Sequence, residues 1–361
     1  MPRKVASFFL LFTMIVITAV PGFAESNTLQ LTAATAHPAD EVEAVVLAEF
    51  KRLVEEKTRG RIKVSIQTGG VRGSDEQLIK GLQQGSVDLI TCPAFAYAEY
   101  VPAFTVLDLP FLFFSTQHLT DMLGGTLGQA LTERAQESRG DYILGYITDG
   151  PVNMVNNKAL IYMSQGKGLR FRTKLLPTHR QTWETLGIDP VTLAYSELKI
   201  GLQVGLVDVV ETNYIDYKKM RIYDTARFIL QSEHYFPISL LMLSKNAWYR
   251  IPASYRKLVR QCATDDILYG STELIWQNKE TARELTEKYG VKITELNLAD
   301  KKSNYQKIIG VQERTFTSYG LTEAWREVKT TYAEYEKQMA AELERIKQIQ
   351  EKTVKEEKEE E

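Results

Sequence analysis

The chain has 361 residues, of which 44% are hydrophobic and 25% are charged, and its formal net charge is −2. This length and composition are typical of a soluble protein with two domains of ordinary size. The charge argues against a nucleic-acid-binding protein, because there is no basic excess to neutralise phosphates.

Residues 1–24 have the pattern of a secretory signal peptide, which predicts export to the periplasm. Arg3 and Lys4 precede an apolar run at 5–20, and small residues at Gly22 and Ala24 occupy the positions that a signal peptidase reads. An uncleaved membrane anchor is the alternative, although the run is shorter than the ~18–20 residues of a membrane span. Cleavage is expected after Ala24.

Strand and helix patterns then alternate, which predicts an α/β fold. A strand at 29–33 is followed by His37 and by a helix with an apolar stripe from residue 42 to residue 54. A period-two strand at 62–66 completes a β-α-β unit, so these two strands are expected to be parallel. Ser74 and Gln77 form a capping box that predicts the start of the next helix.

An aromatic-rich segment, 97–114, follows the next strand and contains Pro102 and Pro110. Phe95 leads into this segment from the end of the strand. Such a stretch either fills the core of a lobe or lines a cleft against the apolar side of a ligand, and both roles are compatible.

The rest of the chain predicts two crossings between lobes and a long connecting helix. The turn at 149–151 marks the first crossing, a strand at 239–244 returns the chain, and a helix at 252–289 would reach across both lobes at ~1.5 Å per residue. The Lys/Glu-rich end predicts a solvated helix terminus, with a partner-binding coiled coil as the alternative. The predicted division is lobe I at 25–149 and 237–280, lobe II at 150–236 and 281–335, and a tail at 336–361.

One nine-residue segment occurs twice. GLQQGSVDL at 81–89 and GLQVGLVDV at 201–209 are identical at six of nine positions. A helix-turn-strand unit that repeats 120 residues later predicts two lobes of similar build.

A strand at 168–172 carries two arginines and predicts an anion site. Arginine offers a planar fork of N–H donors that matches a carboxylate. Arg170 and Arg172 are two positions apart and lie on the same face of a strand, so spacing does not choose between them. Pairing of either arginine with a neighbouring carboxylate is the structural alternative. His37 is a further candidate, because ligands of α/β sheets bind at loops that follow the strands.

The sequence lacks the patterns of metal and catalytic sites. Its four histidines are scattered, and no zinc spacing, nucleophile elbow or phosphate-binding loop occurs. Cys92 and Cys262 are too few for a disulfide framework, so buried free thiols are expected, with a single bridge as the alternative. We therefore expect no cofactor, no metal and no enzymatic activity.

Seven motifs in order resemble one family, the extracytoplasmic solute-binding proteins of TRAP transporters (DctP-like), over residues 27–330. They are GRIKV (60–64), LQQGSVD (82–88), FTVLDLPFLF (104–113), GLRFR (168–172), LGIDP (186–190), SE (196–197) and LVD (206–208). The resemblance implies two α/β lobes around a ligand cleft, joined by crossing strands and a long helix. It also implies hinged closure on a ligand and delivery to a membrane permease.

The same resemblance assigns roles to residues. It implies that Arg172, rather than Arg170, binds a carboxylate of the ligand. The aromatic residue beside the ligand falls on Tyr195, a polar position falls on Thr212 with Asn213 next to it, and Asp75 matches a polar position near the cleft.

Two departures from the family pattern bear on the ligand. Many members have a second arginine where this chain has Val152 beside Asn153, and an asparagine where it has Thr212. The hypothesis is therefore a monocarboxylate whose remainder is neutral or apolar. The site is expected to comprise Arg172, Tyr195, Thr212, Asn213, Asn153, Asp75, His37 and Phe95.

The predicted function is capture of a small organic acid and its delivery to TRAP permease subunits. A sensor that presents the bound acid to a membrane receptor is the main alternative, and an exported enzyme is a weaker one. The protein is expected to be a monomer or a homodimer.

Overall fold

The computed structural model describes residues 28–360, so the predicted signal peptide lies outside the described residues. In that range no helix combines the length and apolarity needed to cross a bilayer. The strands are β1 (Leu29–Thr35), β2 (Ile62–Gln67), β3 (Leu89–Pro93), β4 (Tyr142–Ile147), β5 (Val152–Asn156), β6 (Arg170–Thr173), β7 (Asp189–Thr192), β8 (Val209–Thr212), β9 (Phe228–Tyr235), β10 (Ser239–Leu243) and β11 (Lys292–Glu295). The α-helices are α1 (Val42–Lys57), α2 (Asp75–Gln84), α3 (Ala94–Ala98), α4 (Thr116–Gly124), α5 (Thr126–Arg139), α6 (Pro177–Thr185), α7 (Leu198–Gln203), α8 (Tyr214–Lys219), α9 (Lys245–Arg250), α10 (Ala253–Tyr289), α11 (Leu298–Ser318) and α12 (Thr322–Glu360).

The strands form two sheets, one in each lobe. The first has the order β2-β1-β3-β10-β4 and the second has the order β11-β9-β5-β8-β6-β7. β1 pairs in parallel with β2 and β3, as the β-α-β pattern predicts, whereas β10 is antiparallel to its neighbours. The two-lobed α/β fold predicted from the sequence is therefore confirmed.

Within residues 28–360, three connections join strands of one sheet to strands of the other. The chain passes from β4 of the first sheet to β5 of the second, and returns from β9 to β10. The third is α10, a helix of 37 residues that packs on α1 and β4 at one end and on α8 and β11 at the other. Crossing strands and a long helix of this kind permit hinge motion between lobes.

The repeated segment forms the same helix-turn-strand connection in each lobe. Gly85 and Gly205 follow α2 and α7 with left-handed backbone angles (φ of 75° and 66°), which glycine adopts without a steric cost. The aspartate of each copy then accepts a hydrogen bond from a strand amide: Thr32 N to Asp88 Oδ2 at 2.8 Å, and Arg170 N to Asp208 Oδ2 at 2.9 Å. The repeat therefore places β1 against β3 and β6 against β8 with equivalent geometry.

The aromatic-rich segment packs mainly as core. It begins at the end of α3 and continues as a 3-10 helix at Pro102–Asp108, and Tyr97 and Phe104 are in edge-to-face contact inside the first lobe. Cys92 and Cys262 are buried free cysteines, as predicted.

Helices α11 and α12 contact both lobes. Ile308 packs in the core of the second lobe, whereas Phe316 and Trp325 pack in the core of the first. The predicted division gave all of 281–335 to the second lobe, and the exact lobe boundaries stay a prediction.

Candidate ligand-binding site

Arg172 lies in β6 near its C-terminal end, where its side chain is only 4% exposed. Its Nε donates to the carbonyl oxygen of Leu193 at 2.9 Å, and Nη1 donates to Glu211 Oε1 at 3.4 Å. Nη2 donates no hydrogen bond to the part of the chain that the structure describes. The guanidinium is thus held from one side, and its remaining N–H groups can bind an anion in a bidentate manner.

Glu211 lies at the centre of a buried network beneath Arg172. Its Oε2 accepts a hydrogen bond from His234 Nε2 at 3.1 Å, and His179 Nδ1 lies 4.0 Å from Oε1. Burial acts to raise the pKa of Glu211, but the hydrogen bond from His234 and the nearby positive charges outweigh burial and hold the pKa below its usual range. Burial lowers the pKa of His179 to about 3, so this imidazole is neutral at neutral pH. An ionised Glu211 therefore compensates the buried charge of Arg172 and orients it.

Arg170 has a different environment, although it is only two residues away. Its guanidinium forms two hydrogen bonds with Asp208, each 2.9 Å long, and the side chain is 45% exposed. Pairing with a neighbouring carboxylate was the alternative to an anion site for the arginines of this strand. The Arg170–Asp208 pair shows that Arg170 follows this alternative. Arg172 is also paired, but its pairing leaves N–H donors unused.

Tyr195 lies beside Arg172 and is tied to the end of β8. Its hydroxyl is 2.8 Å from Thr212 Oγ1 and donates to Asp216 Oδ2 at 2.8 Å, while its ring centre is 5.5 Å from the guanidinium carbon of Arg172. Asn213 caps α8 through Oδ1, which accepts from the backbone amide of Asp216 at 2.7 Å. Three predicted residues, Tyr195, Thr212 and Asn213, thus form one hydrogen-bonded group next to Arg172.

Asn153 lies on β5, where it pairs with Thr212 of β8. It also supports an irregularity in the pairing of β5 with β9. Its Oδ1 accepts from the backbone amide of Glu233 at 3.1 Å, and Glu233 has a left-handed φ of 47° at a point where the register of β5 and β9 shifts. The buried Nδ2 of Asn153 has no hydrogen-bond partner within the described range. The Oδ1 atom of Asn153 therefore has a structural role, whereas its Nδ2 group remains a donor without a partner in the described structure.

Asp149 lies at the first crossing between the lobes and was not predicted. Its Oδ2 accepts from Asn213 Nδ2 at 2.9 Å, whereas buried Oδ1 lacks a partner in the described structure. Burial and the negative charges of Asp216 and Glu43 raise the pKa of Asp149 to about 8. Most of this carboxyl is protonated at neutral pH, so it can donate a hydrogen bond and does not repel an anion.

Lys174 is a second cation that sequence reasoning missed. It follows β6 directly, and its Nζ lies 4.3 Å from the ring centre of Tyr235 and 5.9 Å from that of Phe95. Phe95 belongs to α3 of the first lobe and is 41% exposed. The sequence indicated this cation, because Lys174 is two positions beyond Arg172 and residues at that spacing on a strand lie on the same face.

The first lobe contributes an acidic group around His37. Its Nδ1 lies 2.9 Å from Glu41 Oε2, and its Nε2 lies 3.9 Å from Asp75 Oδ1. Burial acts to lower the pKa of His37, but Glu43, Glu41 and Asp75 outweigh it and raise the pKa. One ligand atom from each of His37, Glu41 and Glu43 lies within 4.8 Å of the others, which is close enough for one cation.

The eight predicted residues thus fall into groups. Five lie together in the second lobe around Arg172, His37 and Asp75 lie together in the first lobe, and Phe95 meets the second lobe through Lys174. Among the described residues, no hydrogen bond or ion pair joins His37 or Asp75 to Arg172. At the edge of the lobes, Lys219 Nζ donates to Asp40 Oδ2 at 3.0 Å. Both partners are exposed to solvent, and exposed ion pairs contribute little to stability, so this pair does not oppose hinge opening.

Comparisons with known proteins match this chain to bacterial solute-binding proteins. The model of the family described as bacterial extracellular solute-binding protein, family 7 (DctP), matches residues 33–318. A solute-binding protein of Chromohalobacter salexigens is 25% identical over 272 residues, which cover 75% of this chain and 79% of that protein. The uncharacterized protein y4mM of Sinorhizobium fredii is 28% identical over 208 residues, or 57% of this chain, and the match spans only 38% of that protein.

Solved structures share the fold. A TRAP periplasmic solute-binding protein from Ochrobactrum anthropi, with its C-terminus bound in its ligand-binding pocket, superposes with a TM-score of 0.80 at 27% identity, covering 86% of this chain and 98% of that one. A TRAP periplasmic solute-binding protein from Chromohalobacter salexigens, with bound D-glucuronate, gives a TM-score of 0.72 at 22% identity, covering 83% and 99%.

Proposed function

Because the chain belongs to bacterial extracellular solute-binding protein family 7, we propose that it captures a small organic acid by closure of its lobes and delivers the acid to a TRAP-type secondary transporter. The observation that carries this proposal is Arg172. It is a buried guanidinium with a fixed orientation and unused N–H donors. A carboxylate matches such a fork in charge and shape.

The surroundings of Arg172 favour an anion that binds after desolvation. The guanidinium packs beside the Tyr195 ring, and the mostly protonated Asp149 places a donor, not a negative charge, at the crossing between lobes. When the lobes close, water leaves and the local dielectric falls, which strengthens the pair between Arg172 and the carboxylate. Contacts from both lobes to the ligand then bias the hinge towards the closed state.

The binding residues of the proposal come from both lobes. Arg172 holds the carboxylate, while Tyr195, Thr212, Asn213 and Asn153 contact the rest of the acid from the second lobe. His37, Asp75 and Phe95 contact it from the first lobe. The glucuronate bound by the Chromohalobacter salexigens protein, which shares the fold, supports an organic acid as the ligand class.

A thermal-shift screen of organic acids tests acid binding. A ligand that binds only the folded state raises the melting temperature, by an amount that grows with concentration over the dissociation constant. We expect at least one carboxylic acid to raise it and its neutral amide to have no effect. Equal shifts by an acid and its amide would reject the carboxylate as the recognised group.

Delivery and export need separate measurements. Membrane vesicles with the cognate TRAP permease subunits are expected to accumulate the labelled acid under an ion gradient only when this protein is added. Uptake at the same rate without the protein would reject delivery. Mass spectrometry of the protein from the periplasm is expected to show a mature chain that begins after Ala24, and a retained N-terminus would reject cleavage.

A further inference from the structure

The two copies of the repeated unit differ at three exposed positions. The turn after each helix has the same backbone geometry, since Ser86 N donates to the Gly81 carbonyl oxygen at 3.0 Å and Leu206 N donates to that of Gly201 at 2.8 Å. Equivalent positions of the two copies are therefore 120 residues apart. The exposed polar residues Lys80, Gln84 and Ser86 of the first lobe correspond to the exposed aliphatic residues Ile200, Val204 and Leu206 of the second.

Ile200, Val204 and Leu206 form one apolar surface, here called the α7 patch. They are 52%, 68% and 47% exposed. Val204 lies one helical turn after Ile200, and its amide donates to the Ile200 carbonyl oxygen at 2.9 Å, while Leu206 follows in the same turn towards β8. Exposed aliphatic residues are common when they are isolated, whereas contiguous ones mark interaction sites. Since the first lobe has polar side chains on the same backbone, the fold does not require aliphatic residues here.

The α7 patch lies at the end of the second sheet that is remote from the cleft. β6 and β8 are parallel, and Arg172 is near the C-terminal end of β6, whereas Leu206 precedes the N-terminal end of β8. A partner that receives the bound acid must reach the cleft, so this position does not favour the permease. A contact made by the α7 patch leaves the cleft open to the ligand.

The rim of the α7 patch carries charges of both signs. Beyond Leu206, Arg170 Nη2 lies 2.9 Å from Asp208 Oδ1, and next to Ile200, Lys199 Nζ lies 3.1 Å from Asp224 Oδ2. The two acids weaken attraction to an anionic membrane, which depends on clustered basic residues. A rim with both signs can instead pair with itself across a two-fold axis, where cations of one copy meet acids of the other. An apolar centre inside such a polar rim is the usual arrangement of a protein–protein interface.

We propose that the α7 patch is the contact surface of a homodimer, in which Ile200, Val204 and Leu206 of two copies pack against each other about a two-fold axis. The inference goes beyond the proposed function and does not depend on it. Val204 is the most exposed of the three and lies nearest the axis. The patch is small beside the roughly 1,200–2,000 Å² that stable interfaces bury, so the dimer is weak, with a dissociation constant on the order of 10–100 µM.

Sedimentation velocity of the full mature chain tests the dimer. Between about 5 and about 500 µM, the weight-average mass of wild type should rise from that of the monomer towards twice that value. A triple variant, Ile200→Lys with Val204→Gln and Leu206→Ser, gives the second lobe the residues of the first. It should weaken association at least about tenfold, because the apolar centre of the interface is lost. Val71→Gln, which replaces an exposed aliphatic residue of the first lobe, is the matched control and should associate like wild type.

Disulfide cross-linking tests the position of the axis. Residues near a two-fold axis meet their own copies, and a disulfide needs Cα atoms within about 7 Å of each other. Val204→Cys should therefore form a covalent dimer when oxidised glutathione accepts the electrons, since Cys92 and Cys262 are buried. Val71→Cys should stay monomeric at the same concentration. Addition of Ile200→Lys to Val204→Cys should reduce the yield of dimer at least about fivefold.

Three results would overturn the inference. A wild type that stays monomeric over the whole range would exclude the dimer, and equal association of wild type and the triple variant would place the contact on another surface. Flotation of wild type with phosphatidylglycerol vesicles that is lost in the triple variant would assign the patch to the membrane. If the triple variant has a lower melting temperature than wild type, Val204→Gln alone replaces it in the same comparisons.

Ligand binding separates this inference from the proposed function. Calorimetric titration with an acid from the thermal-shift screen should give the same affinity for wild type and the triple variant, because the α7 patch is remote from the cleft. Failure of all of these proteins to bind any acid would reject the proposed function and leave the dimer unaffected. A monomeric wild type that binds an acid would reject the dimer alone.

Discussion

The repeated unit continues differently in the two lobes. After Asp88, β3 runs through Thr91, Cys92 and Pro93, and Cys92 packs against Met242 in the core. After Asp208, the equivalent positions are Glu211, Thr212 and Asn213, which form the network around Arg172 and Tyr195. The strand before each unit differs in the same way, with Ala34 in one lobe and Arg172 in the other.

This difference separates the part of the unit that builds the fold from the part that builds the site. The left-handed glycine and the aspartate that binds a strand amide are common to both copies. The buried charged residues at the strand ends, Arg172 and Glu211, occur only in the second copy, where the first copy has Ala34 and Thr91. A buried charge is tolerated only with compensation, so Arg172 and Glu211 must be introduced together.

Substitution of Arg172 by alanine, the residue of the first lobe at this position, should have the largest effect. We expect acid affinity to fall by at least about 30-fold, because truncation of one partner of a buried charged contact costs about 2–5 kcal/mol. Calorimetry measures this loss. Arg170→Ala is the matched control and should keep wild-type affinity, since Arg170 already binds Asp208 at the surface. Equal losses in the two variants would place the carboxylate elsewhere.

Loss of the charge of Glu211 should chiefly reduce stability. Glu211→Gln leaves the buried Arg172 without its charged partner, and we expect the free energy of unfolding to fall by about 3–5 kcal/mol. Urea denaturation at neutral pH measures it. Thr91→Ala, at the equivalent position of the first lobe, should cost less than about 1 kcal/mol because its hydroxyl contact is long, at 3.4 Å. An unchanged unfolding free energy for Glu211→Gln would show that the network does not need this charge.

The shared aspartates should respond unequally to the same change. Asp88 is buried and also binds Arg250 at 2.6 Å, whereas the side chain of Asp208 is 35% exposed. Asp88→Asn should therefore lower the unfolding free energy by about 1.5 kcal/mol and Asp208→Asn by about 0.5 kcal/mol. Denaturation of the two variants side by side checks this order, and a larger loss for Asp208→Asn would contradict it.

The smallest expected effect is a pH dependence at the crossing between the lobes. Asp149 has a pKa raised to about 8, so it is protonated below that pH and becomes negative above it. A negative charge there repels the bound anion, and wild-type affinity should fall by roughly fivefold between pH 7 and pH 9.5. Asp149→Asn should remove this decline. Identical pH profiles of the two proteins would exclude Asp149 from the site.

Much of the fold could be predicted from local patterns. The parallel β1–β2 pair, both crossing strands and α10 follow from periodicity and turn residues, and each is confirmed. The packing of α11 and α12 could not be read in this way. A helical stripe shows that one face is apolar, but not which lobe covers it.

The candidate site was only partly predictable. Spacing left Arg170 and Arg172 equivalent, and the resemblance to the family selected Arg172. The contacts that distinguish them join distant residues, such as Glu211 with His234 and Asp149 with Asn213, and no local pattern encodes such pairs. Lys174 was visible as the next residue on the same face, but its packing 4.3 Å from the Tyr235 ring is a property of the folded chain.

The central claim is that Arg172 captures the carboxylate of a small acid, and native purification tests it whatever that acid is. The protein is purified under native conditions and the small molecules released on denaturation are identified by mass spectrometry. We predict a carboxylic acid from wild type and from Arg170→Ala, and none from Arg172→Ala. A neutral molecule from wild type, or the same acid in equal amount from Arg172→Ala, would contradict the account.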